Sequence, residues 1–183
     1  MRLNDILPTS FEFRGRTYDI DLSFDNVLDV YDITSNKNLL DVEKIHLGLI
    51  LYLGDIELED HLELWQFIQS ELIEKGKRKV VQYDVLGNEM PDMNDEDEEA
   101  HFDIKQDADL IYASFKSEYG IDLIEEQGKL HWHKFQALLQ GLSSESILQR
   151  VIQIRLWKPR KGDSPEYRQS MRKLQDYYRI VTD

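Results

Sequence analysis

Two histidines flank a tryptophan in the stretch KLHWHKF, Lys129 to Phe135, of a chain that has five histidines in all. Histidine ligates metals and moves protons near neutral pH, so the spacing of His131 and His133 decides which chemistry is open. On a helix successive residues turn by about 100°, which sets the two rings roughly 200° apart and keeps them from gripping one ion. A zinc helix places its histidines at i and i+4, as H-E-x-x-H does. A strand would set both on one side, but Trp132, Phe135, Leu138 and Leu139 follow a helical period. His46, His61 and His101 show no ligand spacing with a carboxylate. The expectation is no metal site, with His131 and His133 as half-covered residues on a helix flank.

Other chemistry is equally sparse. There is no glycine-rich phosphate loop and no G-x-S-x-G elbow, and GLSSES reads as a helix break followed by a cap. The chain has no cysteine, hence no thiolate ligand, thiol nucleophile or disulfide. Aspartate and glutamate total 36, too many for any pair to stand out as an acid and base. Eight acids and no basic residue lie between Glu89 and Asp103. On a twelve-residue calcium-loop template starting at Asp92, Asn94 and Glu96 fall on donor positions. Asp97 then stands where the turn needs glycine, and Asp103 where a bidentate glutamate belongs. Residues 86–105 therefore read as a solvated, self-repelling, flexible acidic loop. No catalytic residue, cofactor or metal is expected, and the chain reads as non-enzymatic.

Positioning falls to a single expected domain over residues 1–183, with enough apolar residues (41%) for a core. The absence of cysteine fits a reducing compartment. The first residues, MRLNDILPTSFEFRGR, contain no apolar signal-peptide core. The greasiest run, IHLGLILYLG, is ten residues long, against about 20 for a membrane span. A soluble intracellular protein is expected.

FEF and RTYDID alternate around Arg14-Gly15, predicting a hairpin over 11–21. Helical spacing follows: Phe24, Val27, Leu28 and Tyr31 behind a Ser23 cap, then an all-round apolar and therefore buried helix from Asp41 to Gly54. A helix over 57–75 ends at Gly76; 80–85 suggests a short strand; another helix spans 106–119 with a Schellman ending at Gly120 and Ile121. Leu130–Leu139 holds the histidine motif, with Trp132 and Phe135 in the core. Ser143 or Ser144 starts the next helix, with Ile147, Val151 and Ile154 as its stripe. Ser164 and Pro165 start the last, striped by Tyr167, Met171, Leu174 and Tyr178. The fold class is mainly α, a compact helical domain of about six or seven helices with a short N-terminal hairpin.

Charge is unevenly spread. Residues 149–183 carry nine Lys/Arg against four Asp/Glu, whereas 1–148 carry thirteen against thirty-two. The basic C-terminal segment, 156–183 with Arg155 just before it, gathers Arg155, Trp157, Lys158, Arg160, Lys161, Arg168 and Arg172 as a candidate partner or self-association surface. Tryptophan and arginine are favoured interface anchors. Cations on phosphates and a stacking Trp157 make a nucleic-acid-binding accessory protein the alternative. The acidic bulk of the chain argues against that alternative, since it would repel phosphates.

The run DADLIYASFKSEYGIDLIEEQGKLHWHKFQALLQGLS, Asp107 to Ser143, resembles a family of phage tail-morphogenesis proteins. These are encoded beside the tape-measure gene in long, flexible-tailed phages and prophages of Gram-positive bacteria. The matching positions are Asp107–Asp109, Ile111–Phe115, Tyr119–Leu123, Leu130–Trp132, Phe135, Leu138, Leu139, Gly141, Leu142 and Ile154–Arg155. LILYLG and LWQFI fit as well. At His133 the family pattern more often has a second aromatic, which implies a flat packing ring there and not a ligand. The resemblance implies a tail assembly chaperone that binds and solubilises the tape-measure protein and helps recruit major tail protein. It further implies a homo-oligomeric ring or spiral that works in the host cytoplasm and is absent from the mature virion. Membrane and nucleic acid are not expected as partners. The charge split suggests head-to-tail contact, the basic end of one copy meeting the acidic body of another.

Overall fold

The computed structural model describes residues 4, 6–54, 61–74 and 101–181. The expected turn at Gly76, the strand at 80–85, the start of the third helix and the acidic stretch 86–100 lie outside them. Among the described residues the fold is mainly α, with seven α-helices and one two-stranded antiparallel hairpin. No helix among them is long and apolar enough to cross a membrane. The described residues fall into two compact units, one within 1–79 with 124–138 and the other within 80–123 with 139–183.

The first unit opens with β1 (Ser10–Phe13) and β2 (Arg16–Asp19), paired with Phe13 opposite Arg16. Arg14 and Gly15 close the turn at φ 50° and 76°, the doubly left-handed form whose twist matches paired strands. Helix α1 (Phe24–Ser35) buries Phe24, Val27 and Val30. Ser23 stands at its N-cap but makes no side-chain cap bond, contrary to expectation. Its neighbours are already committed. Asp21 Oδ1 accepts the Ser23 N–H at 2.8 Å, and the Phe24 N–H goes to the Leu130 carbonyl at 2.9 Å.

Helix α2 (Asp41–Leu53) buries only Gly48, Leu49 and Tyr52, while Val42 and Leu47 are exposed. The all-round apolar sequence thus overstated its burial: one face packs and the rest meets solvent. Helix α3 (His61–Phe67) continues into a π turn, Ile68–Ile73, sealed by Glu74 N–H on Gln69 O at 2.9 Å. Widening to i→i+5 turns Ile68, Leu72 and Ile73 inward together. Helix α5 (Trp132–Gln140) completes the unit. Phe135 stacks on Phe24 with ring centroids 4.9 Å apart, and the Trp132 ring meets Tyr31 edge-on. Both α5 aromatics are core, as their spacing predicted.

In the second unit α4 (Ala108–Tyr119) packs on α6 (Ile147–Leu156), and α7 (Pro165–Tyr177) packs on α6. Gly120, at φ 68°, ends α4, and the Ile121 N–H reaches back to Phe115 O, the Schellman closure read from the sequence. Ser164 caps α7 through the Tyr167 N–H, with Pro165 first in the helix. The cap of α6 is Ser146, not Ser143 or Ser144. Ser143 is held instead by Glu118, which accepts its N–H and its hydroxyl. Of the expected α6 stripe Val151 is buried, Ile154 half-buried and Ile147 exposed, with Leu148 buried in its place. No residue of α7 is buried, although Tyr167, Met171, Leu174 and Tyr178 form the expected stripe.

Gly48 marks the tightest approach in the first unit. A β-carbon there would lie 2.5 Å from the Trp65 ring. Alanine would gain about 1 kcal/mol of helix propensity, against about 1–3 kcal/mol for forcing a rigid ring aside. Gly48→Ala is therefore expected to lower stability by about 1 kcal/mol in denaturant melts, and Trp65→Leu in the same chain to return part of that loss.

Candidate partner-binding surface and the histidine pair

Asp107, buried at the start of α4, sends both carboxylate oxygens to Arg155 near the end of α6, each at 2.6 Å. The Arg155 side chain is 12% exposed and that of Asp107 3%. The same guanidinium donates to the Tyr178 carbonyl at 2.6 Å and the His101 carbonyl at 3.1 Å. Asp107 Oδ2 also accepts the Asp103 N–H at 3.0 Å. Around this pair, Gln175 donates to the Arg155 and Trp157 carbonyls, while Gln106 and Val181 exchange two hydrogen bonds. Arg155 is thus spent on joining α4, α6 and the end of α7. That removes it from the surface on which its charge had placed it.

The remaining candidates divide by exposure. Lys158, Arg160, Lys161 and Arg172 are exposed and form no ion pair among the described residues, and Lys173 joins them. Arg160 lies in a tight turn closed through its backbone, its N–H on Asp163 Oδ2 at 2.7 Å, which leaves its side chain free to point outward. Arg168 is half-buried and donates to the Arg160 carbonyl. Trp157 is half-buried too, edge-on to the exposed Tyr167 at 5.9 Å. Leu156, Leu174 and Tyr177 are also exposed. The second unit therefore presents aromatic and aliphatic side chains bordered by unpaired cations. Sequence reading found the cations and Trp157 and missed Tyr167, Leu174 and Tyr177, because a helical stripe ordinarily means core.

The opening histidines are not arranged as a single helix would set them. His131 sits in an antiparallel bridge to Ser23, ahead of α5, with the Trp132 N–H on Leu22 O at 2.7 Å. Because its backbone is extended, its ring lies 5.1 Å from that of His133, not on the opposite side. Nδ1 of His131 accepts the His133 N–H at 3.1 Å, capping the helix, which leaves Nε2 to donate to the Pro8 carbonyl at 3.2 Å. Both nitrogens of the neutral ring are occupied by backbone. No cluster of three or more metal-ligating side chains occurs among the described residues. Asp103, the last position of the calcium template, accepts the Lys105 and Gln106 N–H groups in a local turn.

Burial is the first cause that pushes both imidazoles below their ordinary value; Lys134 adds to it at His131, and His131 itself at His133. The Pro8 carbonyl and Asp21 oppose the shift at His131, as the Leu72 backbone does at His133. The unfolded chain, with histidines near pH 6.5, then binds protons that the folded one refuses. Stability is full above about pH 6.5 and falls as acid is added toward the lowered folded values. Melting temperature should drop between about pH 7 and pH 5, and less so in His133→Phe.

The ion pair gives a second expectation. Removing one partner of a buried pair costs about 3–5 kcal/mol, whereas exposed substitutions stay within about 0.5 kcal/mol. Chemical denaturation of Arg155→Ala and of Arg160→Ala should show that contrast, with loss of the α7 hydrogen bonds in the first alone.

Residues 3–180 match the family model described as "Bacteriophage Gp15 protein". No curated protein and no solved structure matches the chain. With nearly its whole length matched, the chain belongs to that bacteriophage family.

Proposed function

We propose that this member of the bacteriophage Gp15 family is a non-enzymatic tail assembly chaperone, which binds and solubilises the tape-measure protein and helps recruit major tail protein. The observation that carries the reading is where the motif residues are used. Asp107, Ser114, Arg155, His131 and Trp132 are all engaged in internal hydrogen bonds or core packing. Among the surfaces that remain for a partner is the apolar and cationic face of the second unit. Such a face suits weak, repeated contacts with a long protein, whose summed avidity holds it.

The same reading makes the chain a homo-oligomer, ring or spiral, acting in the host cytoplasm and left out of the finished virion. The nucleic-acid alternative draws on Lys158, Arg160 and Lys161, which have no ion-pair partners among the described residues, beside a tryptophan. It predicts binding to a random duplex that weakens steeply with salt; the chaperone reading predicts little binding at physiological salt.

Co-expression with the tape-measure protein of the same phage, followed by affinity capture and light scattering, tests the proposal. The expected result is a soluble complex with many copies of this chain per tape measure. A tape measure that stays insoluble and uncaptured, with expression controlled, would refute it.

A further inference from the structure

Helix α7 leaves its apolar row to solvent. Tyr167 is 48% exposed, Leu174 39% and Tyr177 79%; half-buried Trp157 stands edge-on to Tyr167, and Leu156 at the end of α6 is exposed too. An uncovered apolar face ringed by charge marks a docking surface. The cations of the preceding loop and of α7 on this side, Lys158, Arg160, Lys161 and Lys173, have no carboxylate partner among the described residues. The occupant must therefore bring acid and apolar surface together.

The first unit carries such a surface. An open hollow of about 450 Å³ is lined by Asp19, Asp21, Ile50, Leu51, Leu53 and Gly54, among others. It lies at the C-terminal end of α2, the negative end of the helix dipole, where the last turn has no basic residue. Neither Asp19 nor Asp21 forms an ion pair among the described residues. Two carboxylates and a row of aliphatic side chains at the end of α2, whose Ile50, Leu51 and Tyr52 carbonyls accept from Gly54, Asn26 and Asp21 of the same chain, match the opposite face in both charge and polarity.

We propose that the apolar and cationic face of α7 and the loop before it docks onto the Asp19–Asp21 hollow of a second copy of this chain. This names the contact by which the oligomer proposed above forms, and it rests on that reading. The two patches differ, so the contact is heterologous: each copy donates one and accepts with the other. Repetition closes a ring or extends a spiral according to the rotation per step. Charge pairing steers the encounter and fixes orientation, while the aromatic and aliphatic contacts resist dissociation.

The test is sedimentation velocity of the full chain over a range of concentrations, in low and high salt. Wild type is expected to form assemblies that shrink as salt rises. Arg160→Glu with Lys161→Glu, and separately Asp19→Lys, should each weaken association by about tenfold or more; combining all three should recover much of it. These side chains are exposed, so circular dichroism should be unchanged. A wild-type chain that stays monomeric, association indifferent to either charge reversal, or no recovery in the combined variant each overturns the proposal. So does duplex DNA that binds the same cations while copies stay apart. Tape-measure capture is read separately: a monomer that still captures leaves the chaperone reading standing, and an associating chain that captures nothing leaves only the docking.

Discussion

The second unit depends on one buried ion pair. Asp107 and Arg155 meet through two short parallel hydrogen bonds, almost wholly removed from water. Desolvating both charges costs several kcal/mol for each ion, which a lone contact does not repay. Here the remaining hydrogen-bonding capacity is used as well. Arg155 reaches the Tyr178 and His101 carbonyls, and Asp107 takes the Asp103 N–H. The planar guanidinium fork makes four hydrogen bonds at once, two of them parallel to one carboxylate, where a lysine has only three donors. The pair fixes where α4 begins, how α6 ends and where α7 stops. Helix α7, lacking a buried residue of its own, is held by this polar anchoring as much as by packing.

Much of the fold was legible because local signals agreed with packing. Gly120 with Ile121 closed α4, Ser164 with Pro165 opened α7, and Trp132 with Phe135 entered the core. The failures share a cause: a local preference lost to a distant partner. Ser23 does not cap α1, because its segment pairs with residues 130–132. Ser143 does not cap α6, because Glu118 holds it. At the start of α6 Leu148 is buried in place of Ile147, its N–H held by the Ser114 hydroxyl, while Val151 keeps its expected place. None of these partners is near in sequence, so no spacing rule could have shown them.

The surface was legible in charge and illegible in shape. Nine cations near the C-terminus are visible in the composition, but nothing local separates Arg155, buried on Asp107, from Arg160, exposed in its turn. The resemblance to tail-morphogenesis proteins placed Asp107 and Arg155 at opposite ends of one pattern, and the structure brings them together. A pattern read as a functional signature thus includes a structural clamp. The same holds for His131, whose two ring nitrogens serve the backbone and whose ring is not offered to a ligand.

That division separates what the motif maintains from what it leaves available. When motif residues are consumed in capping, clamping and stacking, their shared pattern preserves a shape, and the interaction chemistry must lie on side chains outside it. In the docking proposed above, those are exposed side chains from Leu156 to Tyr177 with nearby cations in the second unit, and Asp19, Asp21 and the aliphatic end of α2 in the first. A catalytic protein concentrates its specificity in a few buried polar groups held against water. Here the buried Asp107 faces Arg155, and Lys158, Arg160 and Lys161 lie outside, near exposed Tyr167. Affinity from such a surface comes from area, charge complementarity and repetition, and those are the quantities on which the proposed assembly draws.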